Sequence, residues 1–199
     1  MRAAHAIDTR FHDVITNEAE LRAIVGQPSY WFSGKVLTWL DAQCRRFIAK
    51  SPFVFIASTN GRQVDVSPRG DPPGFVHVLD DVTIAIPDRA GNRRLDTFCN
   101  VLKDANIGLI FLVPGRRESL RLNGSAMIVR DLQLRQSMAA KGRLPDLALV
   151  VRITRAYFHC GSCIARSQLW ERIAASDEDA PTLVPAENAS TADTKREAG

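Results

Sequence analysis

The stretch that most restricts the fold of this 199-residue chain is FVFIASTNGRQVDVS, residues 53–67. Apolar and β-branched residues flank the dipeptide Asn60-Gly61. Asn-Gly between two such runs is the strongest short-range signal for a β-hairpin, because the tight turn needs residues that tolerate positive φ. The sequence therefore predicts two antiparallel strands here.

Further runs have strand character. FVHVL and VTIAI flank Asp80-Asp81 and predict a second hairpin, and NIGLIFLVPG, ESLRLNGSAMIVRD and LALVVRITRAYFHC follow. About six strands joined mostly by tight turns, with helices at the ends and one inserted, predict a mainly β (α+β) fold. We expect a six-stranded antiparallel barrel with peripheral helices. No glycine-rich dinucleotide or P-loop motif is present, which argues against those nucleotide sites.

Five segments have helical patterns. TNEAELRAIVG begins at Thr16 or Asn17 as N-cap and ends at Gly26, and GKVLTWLDAQCRRFIAKSP is amphipathic and ends before Pro52. NRRLDTFCNVLKDA is predicted to be a helix capped by Asn92, and DLQLRQSMAAKG and ARSQLWERIAA are predicted to be short helices. These assignments divide the chain into a helical segment packed on the barrel (1–50), the barrel domain (51–175) and a disordered acidic tail (176–199).

The charge of the chain is unevenly distributed. The formal net charge is +4, and the tail holds six acids and two bases, so the rest of the chain carries about +8. A basic body favours a phosphate, nucleotide or nucleic-acid partner, although a solvated basic surface has the same composition. Four scattered cysteines and the absence of an apolar leader or membrane-length segment predict a cytoplasmic protein with no membrane partner.

The segment GNRRLDTFCN places Arg93 and Arg94 in the first turn of a predicted helix. Helix N-termini carry a partial positive charge, so arginines there are locally unfavourable. An anion bound at this end reverses that effect, because the arginines become its counter-ions. In the alternative interpretation both side chains point into water.

A second basic segment is VDVSPRGDPPGF, residues 64–75. Strand alternation places Ser67 on one side, and we expect Pro68 to break the strand pairing so that Arg69 turns inward. A hydroxyl and a guanidinium suit a phosphate monoester. The alternative is a structural turn in which Arg69 pairs with Asp71.

Two further segments are ambiguous. In RESLRLNG, Ser119 and Arg121 share one strand face, which either lines a ligand cavity or is the polar outside of a barrel. In FHCGSCIARSQLW, Cys160 and Cys163 lack the second pair that a structural zinc site needs, and the histidine precedes the first cysteine, unlike a haem-attachment motif. Thiol chemistry of this pair stays open. No metal site and no Ser/His/Asp or Cys/His catalytic set is assigned.

Taken in order, these segments resemble the pyridoxamine 5′-phosphate oxidase-like flavoproteins, and in particular their bacterial FMN-dependent subgroup. The resemblance covers about residues 15–172 and is most specific in SPRGDPPGF and PDRAGNRR. It implies a split β-barrel and a homodimer with FMN at the interface. It also implies that the strand exit near Arg69 contacts the flavin and its phosphate side chain, and that the backbone at the end of VTIAI lies beside the flavin ring. The arginine segment would bind the phosphate, and a polar residue would reach the flavin of the other subunit. The positions so assigned are Val66, Ser67, Pro68, Arg69, Ile86, Pro87, Asn92, Arg93, Arg94, Ser119 and Arg121.

The C-terminal motif departs from that of the oxidase itself, which grips its substrate with arginines and a histidine. Arg166 and Trp170 are only loosely analogous, so they are candidate walls of a substrate space, and vitamin B6 synthesis is not predicted. The sequence thus predicts an FMN-dependent oxidoreductase that transfers two electrons between FMN and a small molecule. The alternatives are a non-catalytic flavin- or tetrapyrrole-binding carrier or sensor, and a nucleic-acid module. The clustering of arginines at turns and helix starts argues against the last.

Overall fold

The computed structural model describes residues 10–27 and 36–171, and the predicted acidic tail lies outside these ranges. The chain forms two compact units, residues 1–161 and 162–199. The described helices of the first unit are α1 (Glu18–Val25), α2 (Ala42–Lys50), α3 (Asp96–Val101) and α4 (Leu132–Ser137). The strands are β1 (Phe53–Thr59), β2 (Val64–Gly70), β3 (His77–Val78), β4 (Thr83–Pro87), β5 (Asn106–Leu112), β6 (Ser119–Val129) and β7 (Ala148–His159). The described part of the second unit contains α5 (Ser162–Ser167).

The strands form one antiparallel sheet in the order β2-β1-β5-β6-β7-β4-β3. The mainly β, antiparallel fold with peripheral helices is thus as predicted. The sheet has seven strands where six were expected, and β3 is a two-residue strand beside β4. None of the described helices is long and apolar enough to cross a membrane.

The β1–β2 hairpin forms at the predicted Asn-Gly turn. Asn60 Oδ1 accepts hydrogen bonds from the backbone N–H groups of Arg62 (3.0 Å) and Gln63 (2.9 Å). Gly61 has φ of 85°, a left-handed conformation that glycine adopts without a steric penalty. The side chain of Asn60 and the missing side chain of Gly61 therefore both stabilise this turn.

The sequence predicted that strand pairing breaks at Pro68, and this prediction is wrong. Pro68 pairs with Phe55 and Arg69 with Val54, so the ladder continues to Gly70. Because β2 is an edge strand, a proline that lacks an N–H can be accommodated on its unpaired side. Simple alternation, and not a break in the strand, places Arg69 on the same side as Ser67.

The main hydrophobic core fills the inside of the sheet, and a smaller cluster is formed by Ala85, Met138 and Ala148. Alternate residues of the central strands are fully buried in the main core: Val54, Ile56, Leu109, Phe111, Leu120 and Leu122. Helix α2 covers this core with Cys44, Phe47 and Ile48. Burial of the Cys44 side chain raises the pKa of its thiol to about 12. By contrast, α1 has no buried residue, although its predicted caps Asn17 and Gly26 are both present.

The second predicted helix begins later than its apolar pattern indicated. Leu37 is not helical but forms an antiparallel bridge with Ala156 of β7. The helix begins at Ala42, where the side chain of Asp41 accepts a hydrogen bond from the backbone N–H of Cys44 at 2.8 Å. An N-cap of this kind fixes the start of a helix by satisfying an N–H that lacks an intrahelical partner.

Candidate functional site

The helix after the arginine segment begins at Asp96, so the prediction that Asn92 caps it and that both arginines lie in its first turn is wrong. Asn92 instead accepts a hydrogen bond on Oδ1 from the backbone N–H of Arg94 at 3.1 Å. Arg93 and Leu95 have φ of 59° and 58°. A left-handed backbone conformation costs about 1–3 kcal/mol for each residue other than glycine, and it persists only where the surrounding structure enforces it. The arginines therefore lie in a strained loop before the helix.

This loop forms one wall of a cleft of about 680 Å³, here named the arginine cleft. Its other walls are the end of β2, the end of β4 with the residues that follow it, Phe75, and the turn before β7. Five predicted site residues line this cleft, namely Pro68, Arg69, Pro87, Asn92 and Arg93. A volume of this size lies within the usual range for small-molecule and cofactor sites, about 300–1,000 Å³.

Arg69 is held in position by neutral oxygen atoms. Its Nη1 donates to Ser67 Oγ at 2.6 Å and to the Pro68 carbonyl at 2.8 Å, and its Nη2 donates to Thr97 Oγ1 at 3.3 Å. Among the described residues, no carboxylate forms an ion pair with this guanidinium. The half-buried guanidinium of Arg69 is therefore fixed in direction without an ion pair to a described acid.

The proposed alternative pairing of Arg69 with Asp71 does not occur. Asp71 forms an ion pair with Arg89, whose Nε lies 2.6 Å from Asp71 Oδ2. Arg89 also donates from Nη1 to the carbonyl of Met138 at 2.9 Å. Arg89 therefore joins the segment after β2 to the segment after α4. It lines the cleft, but its charge is paired with Asp71.

Two acids also line the arginine cleft. Burial raises the pKa of the Asp88 carboxyl above its ordinary value. The nearby charge of Arg69 lowers this pKa, and that of Asp146 raises it further. The cleft thus contains a carboxyl group that gives up its proton less readily than an ordinary aspartate. Asp88 was not among the site residues predicted from the sequence, although it directly follows the predicted strand VTIAIP.

The other predicted residues lie elsewhere. Arg94 lines a separate cleft and pairs with Asp96, with 2.9 Å between Nε and Oδ2. The side chain of Ile86 is buried in the core. Strand β3 pairs only with Ile84 and Ala85, so no described strand covers the edge of β4 at Ile86 and Pro87.

Val66, Ser119 and Arg121 are on the opposite face of the sheet from the core, here named the outer face. Val66 is 59% exposed, whereas Ser119 is only 8% exposed. The Arg121 guanidinium carbon lies 5.3 Å from the centroid of the Tyr157 ring, a cation–π distance. These three residues are not part of the arginine cleft.

Arg166 and Trp170 belong to the second compact unit. Arg166 is an exposed residue in the last turn of α5, and Trp170 follows that helix. The cysteines of the Cys160/Cys163 pair are both exposed. Within residues 10–27 and 36–171, no group of three or more histidine, cysteine, aspartate or glutamate side chains is arranged to hold a metal ion.

Similar solved structures include HupZ from Group A Streptococcus, with 16% identity, a TM-score of 0.48, and coverage of 59% of this chain and 92% of that one. An FMN-binding protein from Syntrophomonas wolfei has 11% identity and a TM-score of 0.43, with coverage of 57% and 86% respectively. A Clostridium acetobutylicum protein related to general stress protein 26, of the pyridoxinephosphate oxidase family, has 16% identity and a TM-score of 0.43, with coverage of 59% and 86%. No curated protein matches the chain.

A family model described as pyridoxamine 5′-phosphate oxidase matches residues 40–160, which is more than half of the chain. The match extends from the residue before the α2 cap to the end of β7, and so includes all seven strands and the whole arginine cleft. The resemblance that the sequence motifs indicated is thus confirmed, as is the split-barrel fold class. This chain belongs to the pyridoxamine 5′-phosphate oxidase family.

Proposed function

We propose that this protein binds FMN with its phosphate in the arginine cleft and is an FMN-dependent oxidoreductase. The observation that carries the proposal is that Arg69 and Arg93, from distant parts of the sequence, line one cleft in a member of this family. A phosphate dianion needs several fixed donors, and guanidinium groups supply them with the geometry that suits its oxygens.

The residues of the cleft fit the phosphate end of FMN. Arg69 is already oriented by its contacts with Ser67 and Thr97, so it loses little conformational freedom on binding. Arg93 lies in the strained loop, where Asn92 holds the backbone through the N–H of Arg94. Backbone strain at a ligand-contacting loop is a recurrent feature of binding sites, because the bound ligand can offset its cost.

The uncovered edge of β4 supports a position for the ring system. No described strand pairs with β4 at Pro87 on the side away from β7, and Pro87 lines the cleft directly. A flat heteroaromatic ring with hydrogen-bonding atoms along its edge can occupy such a position. Val66 and Ser67, assigned to the flavin by the family resemblance, lie on β2 next to Pro68 and Arg69.

We also propose that the outer face is the interface of a homodimer. Its β1 and β2 part is apolar: Phe53 and Phe55 pack edge to face with ring centroids 4.9 Å apart, and Val64 and Val66 are 74% and 59% exposed. Register pairing places Arg121 on this same face, next to Ile110 of β5. A second copy on this face would remove the apolar surface from water and bring Ser119 and Arg121 close to the partner's flavin.

When bound, FMN supplies the two-electron chemistry. The residues of this chain would anchor the phosphate, orient the ring and exclude water, and the Asp88 carboxyl is positioned in the cleft to hold or release a proton. Arg121, Arg166 and Trp170 are the candidate contacts for a small-molecule substrate.

A non-catalytic flavin- or tetrapyrrole-binding carrier is the second candidate function. One observation favours it: the described lining of the arginine cleft contains no histidine, cysteine, tyrosine or lysine. Asp88 and Asp146 are therefore the acid–base groups that line it. A carrier needs no proton-transfer group, whereas an enzyme would have to use Asp88 or Asp146 for such a step.

The proposed function is tested in two steps. The purified protein, reconstituted with FMN and passed through a desalting column, should keep flavin absorption bands in proportion to its subunits. The loaded protein should then oxidise NADH or NADPH, or a reduced small molecule, at a rate that depends on bound flavin. Retention of flavin without any turnover supports a flavin carrier, and failure to retain flavin contradicts both the FMN-dependent enzyme and the flavin carrier and favours a tetrapyrrole carrier.

A further inference from the structure

A second cleft, of about 750 Å³, lies between helix α2 and the turn that joins β5 to β6. It shares no lining residue with the arginine cleft. Phe47 and Phe158 form its floor, so we name it the phenylalanine cleft. Its size is suited to a small organic molecule.

The floor of the phenylalanine cleft is apolar and preformed. The rings of Phe47 and Phe158 pack edge to face, with centroids 5.4 Å apart and planes at 78°. Val113 and Phe158 also pack against the main hydrophobic core, which fixes their positions. A ligand with an apolar body can therefore be buried here without rearrangement of the core.

The rim of this cleft is cationic. Arg46 and Lys50 are one turn apart on the exposed side of α2, and Arg116 approaches from the β5–β6 turn. Like charges at positions i and i+4 of a helix repel each other. Among the described residues neither Arg46 nor Lys50 forms an ion pair. Glu118 is the one acid in the lining, and it pairs with Arg116 at 3.4 Å.

We propose that the phenylalanine cleft binds a small organic anion, distinct from FMN, whose carboxylate or phosphate lies at Arg46 and Lys50 and whose apolar body packs on Phe47 and Phe158. The anion relieves the repulsion between the two cations, and the apolar body removes the phenylalanine edges from water. An inorganic anion satisfies only the rim and a neutral hydrocarbon only the floor, so the combination of the two parts defines the ligand class.

The test measures binding to the intact protein by isothermal titration calorimetry. The probe is 2-naphthoate, with 2-naphthylmethanol as the neutral comparator and inorganic phosphate as the anion without an apolar body. The test variant is Arg46→Glu/Lys50→Glu. The matched control is Arg62→Glu/Lys103→Glu, which makes the same change in net charge at exposed residues of another cleft.

The proposal expects saturable binding of one 2-naphthoate per chain and binding at least about tenfold weaker for each comparator, since each lacks one kind of contact. The Arg46→Glu/Lys50→Glu variant should weaken 2-naphthoate binding by about tenfold or more, and the control should leave it unchanged. The proposal is overturned if 2-naphthoate does not bind, if the neutral comparator binds equally well, or if both double variants weaken binding alike.

The same titration separates this site from the arginine cleft. Binding of 2-naphthoate should persist when FMN is bound and when Arg69 and Arg93 are replaced by alanine. Displacement of the probe by FMN would assign it to the arginine cleft and overturn the second site, while the proposed function would stand. Loss of FMN binding alone would leave the second site intact.

Discussion

Nη2 of Arg69 lies 3.3 Å from the buried Oγ1 of Thr97, so strand β2 is connected directly to the first turn of helix α3. Thr97 is 1% exposed, and its hydroxyl also lies 3.5 Å from Asp65 Oδ2. A buried hydroxyl between an arginine and an acid orients the guanidinium toward the cleft. The position of Arg69 is thus set by a contact 28 residues away in sequence.

The first prediction concerns this contact. Thr97→Val keeps the shape of the side chain but removes the hydroxyl, which should lower the free energy of unfolding by about 1 kcal/mol and weaken FMN binding several-fold. Thr97→Ser, which keeps the hydroxyl, is the matched control for FMN binding. Urea unfolding and fluorescence titration with FMN measure the two effects. Unchanged FMN affinity in Thr97→Val would show that Thr97 does not position Arg69.

The second prediction distinguishes the two adjacent arginines. Arg93 lines the arginine cleft, whereas Arg94 lines another cleft and pairs with Asp96. Arg93→Ala should weaken FMN binding by about 10- to 100-fold, the value of a charge-assisted hydrogen bond to phosphate, and Arg94→Ala should weaken it much less. Both variants make the same change in charge. If Arg94→Ala weakens FMN binding as much as Arg93→Ala does, the result would contradict the arrangement in the structure. It would favour the prediction from the sequence that both arginines bind the phosphate.

The third prediction concerns Asp88 and pH. Because the folded protein raises the pKa of this carboxyl above its ordinary value of 3.8, the native state binds the proton more tightly than the unfolded state. The stability that this proton contributes is lost as the pH rises through the folded pKa, and a negative charge then faces the phosphate.

Asp88→Asn removes that titration and that charge. Compared with the wild type, it should bind FMN more tightly by about fivefold at pH 8, for a Coulomb repulsion of about 1 kcal/mol. The difference should shrink as the pH falls toward the ordinary aspartate range. Protonation of the phosphate near its second pKa of about 6 also weakens this repulsion, so the change in the difference below that pH reports on Asp88. A difference in affinity that does not change with pH would contradict the assignment.

The fourth prediction tests the outer face. Val66→Lys places a charge in the proposed homodimer interface and should convert a dimer into a monomer with weakened FMN binding, as measured by light scattering after gel filtration and by FMN titration. Leu102→Lys is the matched control, since Leu102 is 78% exposed at the end of helix α3 and does not belong to the sheet. A wild-type protein that is monomeric and binds FMN would contradict the dimer proposal.

Local sequence signals predicted the elements that depend on local contacts. Asn17 and Gly26 cap the two ends of α1, and Asn60-Gly61 forms the β1–β2 turn. These features were predictable because each signal acts within a few residues. The continuation of β2 through Pro68 was not predictable in this way, because it depends on β2 being the edge of the sheet.

The same limit applies to the candidate site. Arg69 and Arg93 were identified from local features that were unfavourable in isolation, and the structure places them in one cleft. The start of α3 was misplaced, because left-handed backbone at Arg93 and Leu95 has no signature in the side chains. Thr97 was missed because its hydrogen bond joins segments that only the fold brings together.

Recognition of the FMN phosphate by Arg69 and Arg93 is tested by comparing FMN with riboflavin, which lacks the phosphate. The dissociation constants of both ligands are measured for the wild type and for Arg69→Ala/Arg93→Ala. We expect the wild type to bind FMN at least about 100-fold more tightly than riboflavin, and we expect this ratio to fall to near one in the double variant. Equal affinity of the wild type for the two ligands, or a ratio that survives the double substitution, would contradict recognition of the phosphate by these two arginines.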